Sequence, residues 1–110
     1  MISKKYTVYW SKSAQVDLIE MIEYISLDSY NIAEEIFEKI KKQTIKLEKF
    51  PERERTIPEL NFYNITNYRE LIKTPWRIIY RIEEHKVYIL AVIDSRRNFE
   101  DIILKRLLRT

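Results

Sequence analysis

Apolar residues along this chain recur at two different periods, and the changes between them mark its parts. Tyr6, Val8 and Trp10 alternate with Thr7 and Tyr9, so Lys5–Trp10 is expected to be a strand. From Ala14 the spacing lengthens. Ala14, Leu18, Met21, Ile22 and Ile25 share one face of a helix that ends near Leu27. Ser11 or Ser13 offers its N-cap, and Asp17 is expected in its first turn, where the helix dipole favours an anion. Asp28-Ser29-Tyr30-Asn31 breaks the pattern with capping residues. A second helix is expected from about Ile32 to Phe50, with a stripe of Ala33, Ile36, Phe37, Ile40, Thr44 and Leu47. Glu35–Lys39 and Glu38–Lys42 are spaced as favourable i,i+4 pairs on its outer face. Pro51 stops it. Two amphipathic helices joined this closely form a hairpin that needs a surface to cover.

That surface comes from the second half. Tyr68–Lys73, Trp76–Glu83 and Lys86–Asp94 are each of strand length and rich in Ile, Val and Tyr. In the middle run Trp76, Ile78, Tyr80 and Ile82 point one way, and Arg77, Ile79 and Arg81 the other. The last run, Val87 to Ile93, is apolar at every position, which marks a central strand covered on both sides. An antiparallel meander follows, with an arginine-bearing face beside its buried last strand. The N-terminal strand is expected to pair at one side, and both helices to cover one face. Glu83-Glu84-His85-Lys86 is expected as the turn between the last two strands, although it lacks the usual Gly or Asn. Before the meander, Pro51–Asn67 is a polar connector with two prolines, long enough to suggest a job of its own. After it, Asn98 can cap a final helix. Glu100 and Asp101 sit in its first turn, Lys105, Arg106 and Arg109 near its end, and Phe99, Ile102, Ile103 and Leu107 on its apolar face.

Composition narrows the chemistry. The 110 residues suit a single small domain spanning 1–110. There is no cysteine, so disulfides, thiol nucleophiles and Cys-ligated metals are excluded, and one histidine argues against a His-rich metal site. No glycine is present, which removes Gly-rich phosphate loops. No cofactor is expected. No long uncharged apolar run offers a membrane span, and the N-terminus lacks the apolar core of a signal peptide, so the cytoplasm is the expected location. A net charge of +3 is mildly basic, with acids crowding the first half and arginines the second.

The order of elements joins a set of short motifs: Pro51-Glu52-Arg53, Ile57-Pro58-Glu59-Leu60, Arg69-Glu70-Leu71, Trp76–Ile82, Val87–Val92 and Arg96-Arg97. Together they resemble the RelE/ParE superfamily of type II toxins over nearly the whole chain. The long helical hairpin and the Arg-Glu-Leu element resemble the ParE branch in particular. The resemblance implies an α+β fold: an N-terminal strand, a helical hairpin packed on a small antiparallel sheet, and a short C-terminal helix. It also implies a growth-inhibiting toxin held inactive by a cognate antitoxin. The hairpin and the exposed side of the sheet are the candidate antitoxin surface, and a homodimer or a toxin–antitoxin heterotetramer the candidate assemblies. ParE-like members poison DNA gyrase, whereas RelE-like members cleave messenger RNA on the ribosome. A common fold does not choose between them.

By the same resemblance, Arg77 and Arg97 match arginines that stabilise charge in RNA-cleaving members. Arg69 falls where some members carry a basic residue, and Glu59 where one RNA-cleaving subgroup has its general base. Glu59, Arg77 and Arg97 are thus the catalytic candidates of the RNA-cleaving reading. Cleavage at a 2′-OH needs groups that move protons. Asn98 stands where that subgroup has histidine, Phe99 is the nearest counterpart of another subgroup's tyrosine, and Leu71 replaces a lysine. These departures favour a non-catalytic gyrase poison, with Arg69, Arg77, Arg81, Arg96 and Arg97 as target-binding cations. An inactive relic or binding module of the same fold remains a third reading. Arg77 and Arg81 are open to a plainer role, paired with Glu70 or Glu83 across the sheet, and His85 to that of an exposed turn residue.

Overall fold

The computed structural model describes residues 5–108. Strand β1 (Thr7–Trp10) leads into helices α1 (Lys12–Ser26) and α2 (Tyr30–Ile45). A connector containing the short helix α3 (Pro58–Asn61) follows, then strands β2 (Tyr68–Lys73), β3 (Trp76–Glu83) and β4 (Lys86–Asp94), and helix α4 (Phe99–Leu108). The sheet order is β1-β4-β3-β2. The meander is antiparallel as expected, and β1 adds at one edge, parallel to β4. β4 therefore lies inside the sheet, which accounts for its unbroken apolar run.

One face of the sheet carries the hairpin. Ala14, Leu18, Ile40 and Leu47 pack there against Leu71, Ile78, Tyr80, Val87, Ile89 and Val92. The opposite face carries α3 and α4, where Ile57, Leu60, Phe99 and Ile103 meet Ile79, Ala91 and Ile93. Tyr80 is buried in the first cluster and donates its hydroxyl proton to the Pro51 carbonyl at 2.5 Å. Burial raises its pKa above the ordinary phenol value.

A bulge reconciles the two faces. Ile79 pairs with Ala91 and Tyr80 with Ile89, so Leu90 has no partner across the ladder. The extra residue inverts the alternation: Val87 and Ile89 face the hairpin before it, and Val92 does after it. Asp17 secures this point. It was expected in a first turn, but α1 begins at Lys12 with Ser11 as its cap, so Asp17 lies one turn further in. Its carboxylate accepts the Val92 backbone N–H at 2.9 Å and two Arg106 donors at 2.9 and 3.0 Å. Arg106 also donates to the Leu90 carbonyl at 3.0 Å. One ion pair thus joins α1 and α4 and satisfies backbone groups that the bulge leaves open.

Other departures are local. β1 begins at Thr7, not Lys5. α2 runs from Tyr30, capped by Ser29, and ends at Ile45, short of Phe50. A 3₁₀ turn at Lys46–Glu48 continues it and buries Leu47, and Tyr6 donates its N–H to the Glu48 carbonyl at 2.7 Å. The connector is no loose loop, because Ile57 and Leu60 are fully buried and Thr56 bridges to Arg69. In the β3–β4 turn Glu84 takes the left-handed conformation, φ 56°, that glycine would fill without strain. Asn98 Oδ1 accepts the Asp101 N–H at 3.4 Å at the start of α4. Arg109, expected near the end of that helix, lies outside the described residues. Among the described residues, no helix is long and apolar enough to cross a membrane, and no group of three or more His, Cys, Asp or Glu is placed to hold a metal ion.

Candidate functional site

The arginine-bearing face is closed where it was expected to be open. Arg77 is the second residue of β3 and points to the side covered by α3 and α4, where it is only 7% exposed. It makes four hydrogen bonds: Nε and an Nη to Glu70 at 2.6 and 3.0 Å, and its two Nη atoms to Glu59 at 2.8 and 2.7 Å. Its guanidinium carbon lies 3.5 Å from the centre of the Phe99 ring. Glu70 is buried and accepts a further bond from Arg55 Nε at 2.7 Å. Two carboxylates and two guanidiniums thus form one neutral cluster.

Local folding builds this cluster. The short turn between β2 and β3 sets Glu70 against Ile79, diagonally across from Arg77. Pro58 starts α3, and the burial of Ile57 and Leu60 draws that turn onto the sheet, bringing Glu59 to Arg77. Burial opposes the Arg77 charge, but its bonds to Glu59 and Glu70 outweigh this and raise its pKa. The same bond from Arg77 holds the Glu59 carboxyl below its ordinary range. A carboxylate depressed in this way is a weaker base, and a guanidinium with four of its five N–H groups engaged has little left for a phosphate.

The remaining candidates do not converge on Arg77. Arg69 pairs with Tyr80 on the hairpin side of the sheet and donates to the Glu54 carbonyl at 2.5 Å. Arg81 faces the same side as Arg77 but lies further along β3, 3.4 Å from Glu83 and over the Tyr88 ring. Arg96 donates twice to Asp94, at 3.0 and 2.7 Å, and these bonds hold the Asp94 carboxyl below its usual range. Arg97 is exposed and makes no side-chain hydrogen bond among the described residues. With Arg96 it lines an open cleft of about 490 Å³ whose walls include Met21, Tyr24, Trp76 and Val92. Asn98 serves as the cap of α4, Phe99 is packed under Arg77, and His85 sits in the distant β3–β4 turn beside Tyr6.

Sequence reasoning named Glu59 and Arg77 but did not join them, and it passed over Arg55 altogether. The register of the β2–β3 hairpin was the signal for Glu70. Nothing local marks Arg55, whose side chain reaches Glu70 from the connector.

Comparisons with known proteins agree with this architecture. The family model for the ParE toxin of type II toxin–antitoxin systems, parDE, matches residues 8–99. No curated protein matches the chain. Among solved structures, the chromosomal ParDE toxin–antitoxin system from P. aeruginosa is similar at TM-score 0.67 and 19% identity. That match covers 84% of this chain and 98% of the other. The toxin–antitoxin complex RelBE2 from Mycobacterium tuberculosis is similar at TM-score 0.59 and 19% identity, covering 82% of this chain and 98% of that one.

Proposed function

The chain belongs to the ParE family of type II toxin–antitoxin toxins, and from that premise we propose that it is a non-catalytic poison of DNA gyrase, neutralised by a cognate antitoxin. The observation that carries the reading is the closed cluster around Arg77. An RNA-cleaving site needs that arginine free for phosphate and Glu59 free for a proton, and here each occupies the other. Arg97, exposed beside the cleft, is the cation left to contact a target.

The antitoxin surface fits the hairpin. Tyr24, Leu27 and Tyr30 at its tip are each more than 70% exposed, and Ile19, Ile32 and Ile45 are at least half exposed. A segment that folds on binding would cover such side chains. Assembly with an antitoxin as a heterodimer or heterotetramer, and action in the cytoplasm, belong to the same proposal.

Expression without antitoxin tests the target. The expected outcome is growth arrest with filamentous cells and DNA damage while translation continues at first. Arg97→Ala should weaken target binding by about 1–3 kcal/mol, the range for a charged hydrogen bond lost, and Glu59→Gln should leave toxicity in place. Immediate translation arrest with cut messages, abolished by Glu59→Gln or Arg77→Ala, would put the RNA-cleaving reading first.

A further inference from the structure

The sheet has one covered edge and one open one. β2 forms the first, where Thr56 bridges to Arg69 and the Glu70 N–H donates to the Arg55 carbonyl at 3.0 Å. β1 forms the second, and no strand pairs beyond it among the described residues. Thr7 and Ser11 donate inward, to the His85 and Ile89 carbonyls, each at 2.9 Å. Val8 and Trp10 alternate with them and so turn their backbone groups outward. The Trp10 carbonyl accepts Gln15 Nε2 at 3.0 Å and keeps a second lone pair. The Val8 N–H, the Val8 carbonyl and the Trp10 N–H have no partner among the described residues. Edge strands are ordinarily blunted against pairing. Thr7–Trp10 is short, but it carries no proline, lysine or bulge.

On the hairpin face a shallow groove of about 180 Å³ runs beside this edge, lined by Val8, Trp10, Lys41, Thr44, Ile45 and Glu48. Lys41, Ile45 and Glu48 are spaced i, i+4, i+7 and form one stripe along α2 and the turn that continues it. The Glu48 carbonyl binds the Tyr6 N–H, which puts Glu48 at the start of β1. Lys41 lies two helical turns back, about 10 Å, toward Trp10. Between them Ile45 is 57% exposed. The stripe reads cation, apolar, anion, and neither Lys41 nor Glu48 has an ion-pair partner among the described residues.

We propose that a second copy of this chain occupies the edge, its β1 antiparallel to the first across a two-fold axis, so that the two sheets become one. The open groups set the register. Tyr6 is held by Glu48, and Lys12 begins α1, so Val8 and Trp10 are the residues left to pair. Val8 of each copy then faces Trp10 of the other, with two hydrogen bonds in each pair. The axis passes between the two Tyr9 residues, which are 44% exposed on the opposite face. The same axis brings Ile45 to Ile45 and sets Lys41 of each copy opposite Glu48 of the other. One rotation thus matches hydrogen bonds, apolar contact and charge, as an isologous dimer requires. The pairing does not depend on the gyrase reading.

Two measurements on the full chain test it. In sedimentation velocity the chain should move toward twice its 13.6 kDa as concentration rises. Lys41→Glu and Glu48→Lys should each weaken the dimer at least tenfold, because each sets like charges across the axis. An equal mixture of the two variants should dimerise again, since one then presents two anions and the other two cations. A merely structural role for either residue gives no such rescue. The chain has no cysteine, so Tyr9→Cys reports on the axis alone. Residues at a non-hydrogen-bonded position of an antiparallel pair have Cα atoms about 4.5 Å apart, within disulfide reach. Mild oxidation should link Tyr9→Cys chains into dimers and leave Tyr30→Cys chains, altered at the exposed hairpin tip, unlinked. A monomer at every concentration, no rescue in the mixture, or equal cross-linking of both cysteine variants would overturn the proposal. So would Val8 and Trp10 amides that gain protection from hydrogen exchange only when the antitoxin is added, which would give the edge to the antitoxin.

Discussion

Glu70 has a fully buried side chain and holds two arginines at once. Removing its charge leaves Arg77 with one partner and breaks a buried pair, a change that typically costs about 3–5 kcal/mol. Glu70→Gln is therefore expected to shift the urea midpoint far downward, or to prevent folding, while Glu59→Gln costs less because the Glu59 side chain is 30% exposed. The pH dependence follows from Glu59. Its carboxyl is held below the ordinary range by the bond from Arg77. The stability it contributes is present above the unfolded carboxylate value, about pH 4.3, and is lost as pH falls through the lower folded value. Glu59→Gln should thus flatten the acid limb of stability below about pH 4 and leave its shape near neutrality unchanged. Urea titrations across that range measure both effects.

Among the elements, the three meander strands begin and end where their Ile-, Val- and Tyr-rich runs placed them. The helical hairpin was equally plain, because amphipathic stripes survive any detail of packing. Three features were hidden, each for a physical reason. The bulge at Leu90 falls in a run where every position is apolar, so inverting the alternation leaves no trace in the pattern. The end of α2 at Ile45 is set by the 3₁₀ turn that buries Leu47, whereas local pattern continues to Pro51. Asp17 reads locally as an N-terminal helix anion, but its partners are 75 and 89 residues away. That long-range pair predicts an effect. Asp17→Ala orphans the Val92 N–H and strips Arg106 of its anion. It should destabilise by about 2–3 kcal/mol with an unchanged denaturant slope, if α4 and the bulge unfold with the rest.

For the molecule as a whole, sequence placed the arginines and offered Glu70 and Glu83 as partners for Arg77 and Arg81, but it did not show that Glu59 and Arg55 close the cluster around Arg77 and Glu70. Arg77 and Glu59 were both legible as chemistry-bearing residues. Their mutual engagement depends on a connector whose buried Ile57 and Leu60 lie among polar neighbours. The fold thus engages Arg77 and Glu59 with each other in a structural ion cluster, and leaves Arg97 and the cleft beside it facing solvent. The central claim, that harm runs through gyrase without proton-transfer chemistry, is tested most directly with purified protein and DNA gyrase on relaxed plasmid with ATP. The account predicts loss of supercoiling with accumulation of cleaved plasmid, undiminished in Glu59→Gln variants that remain folded. Undiminished supercoiling at a large excess of toxin, together with cleavage of ribosome-bound message by the same preparation, would contradict it.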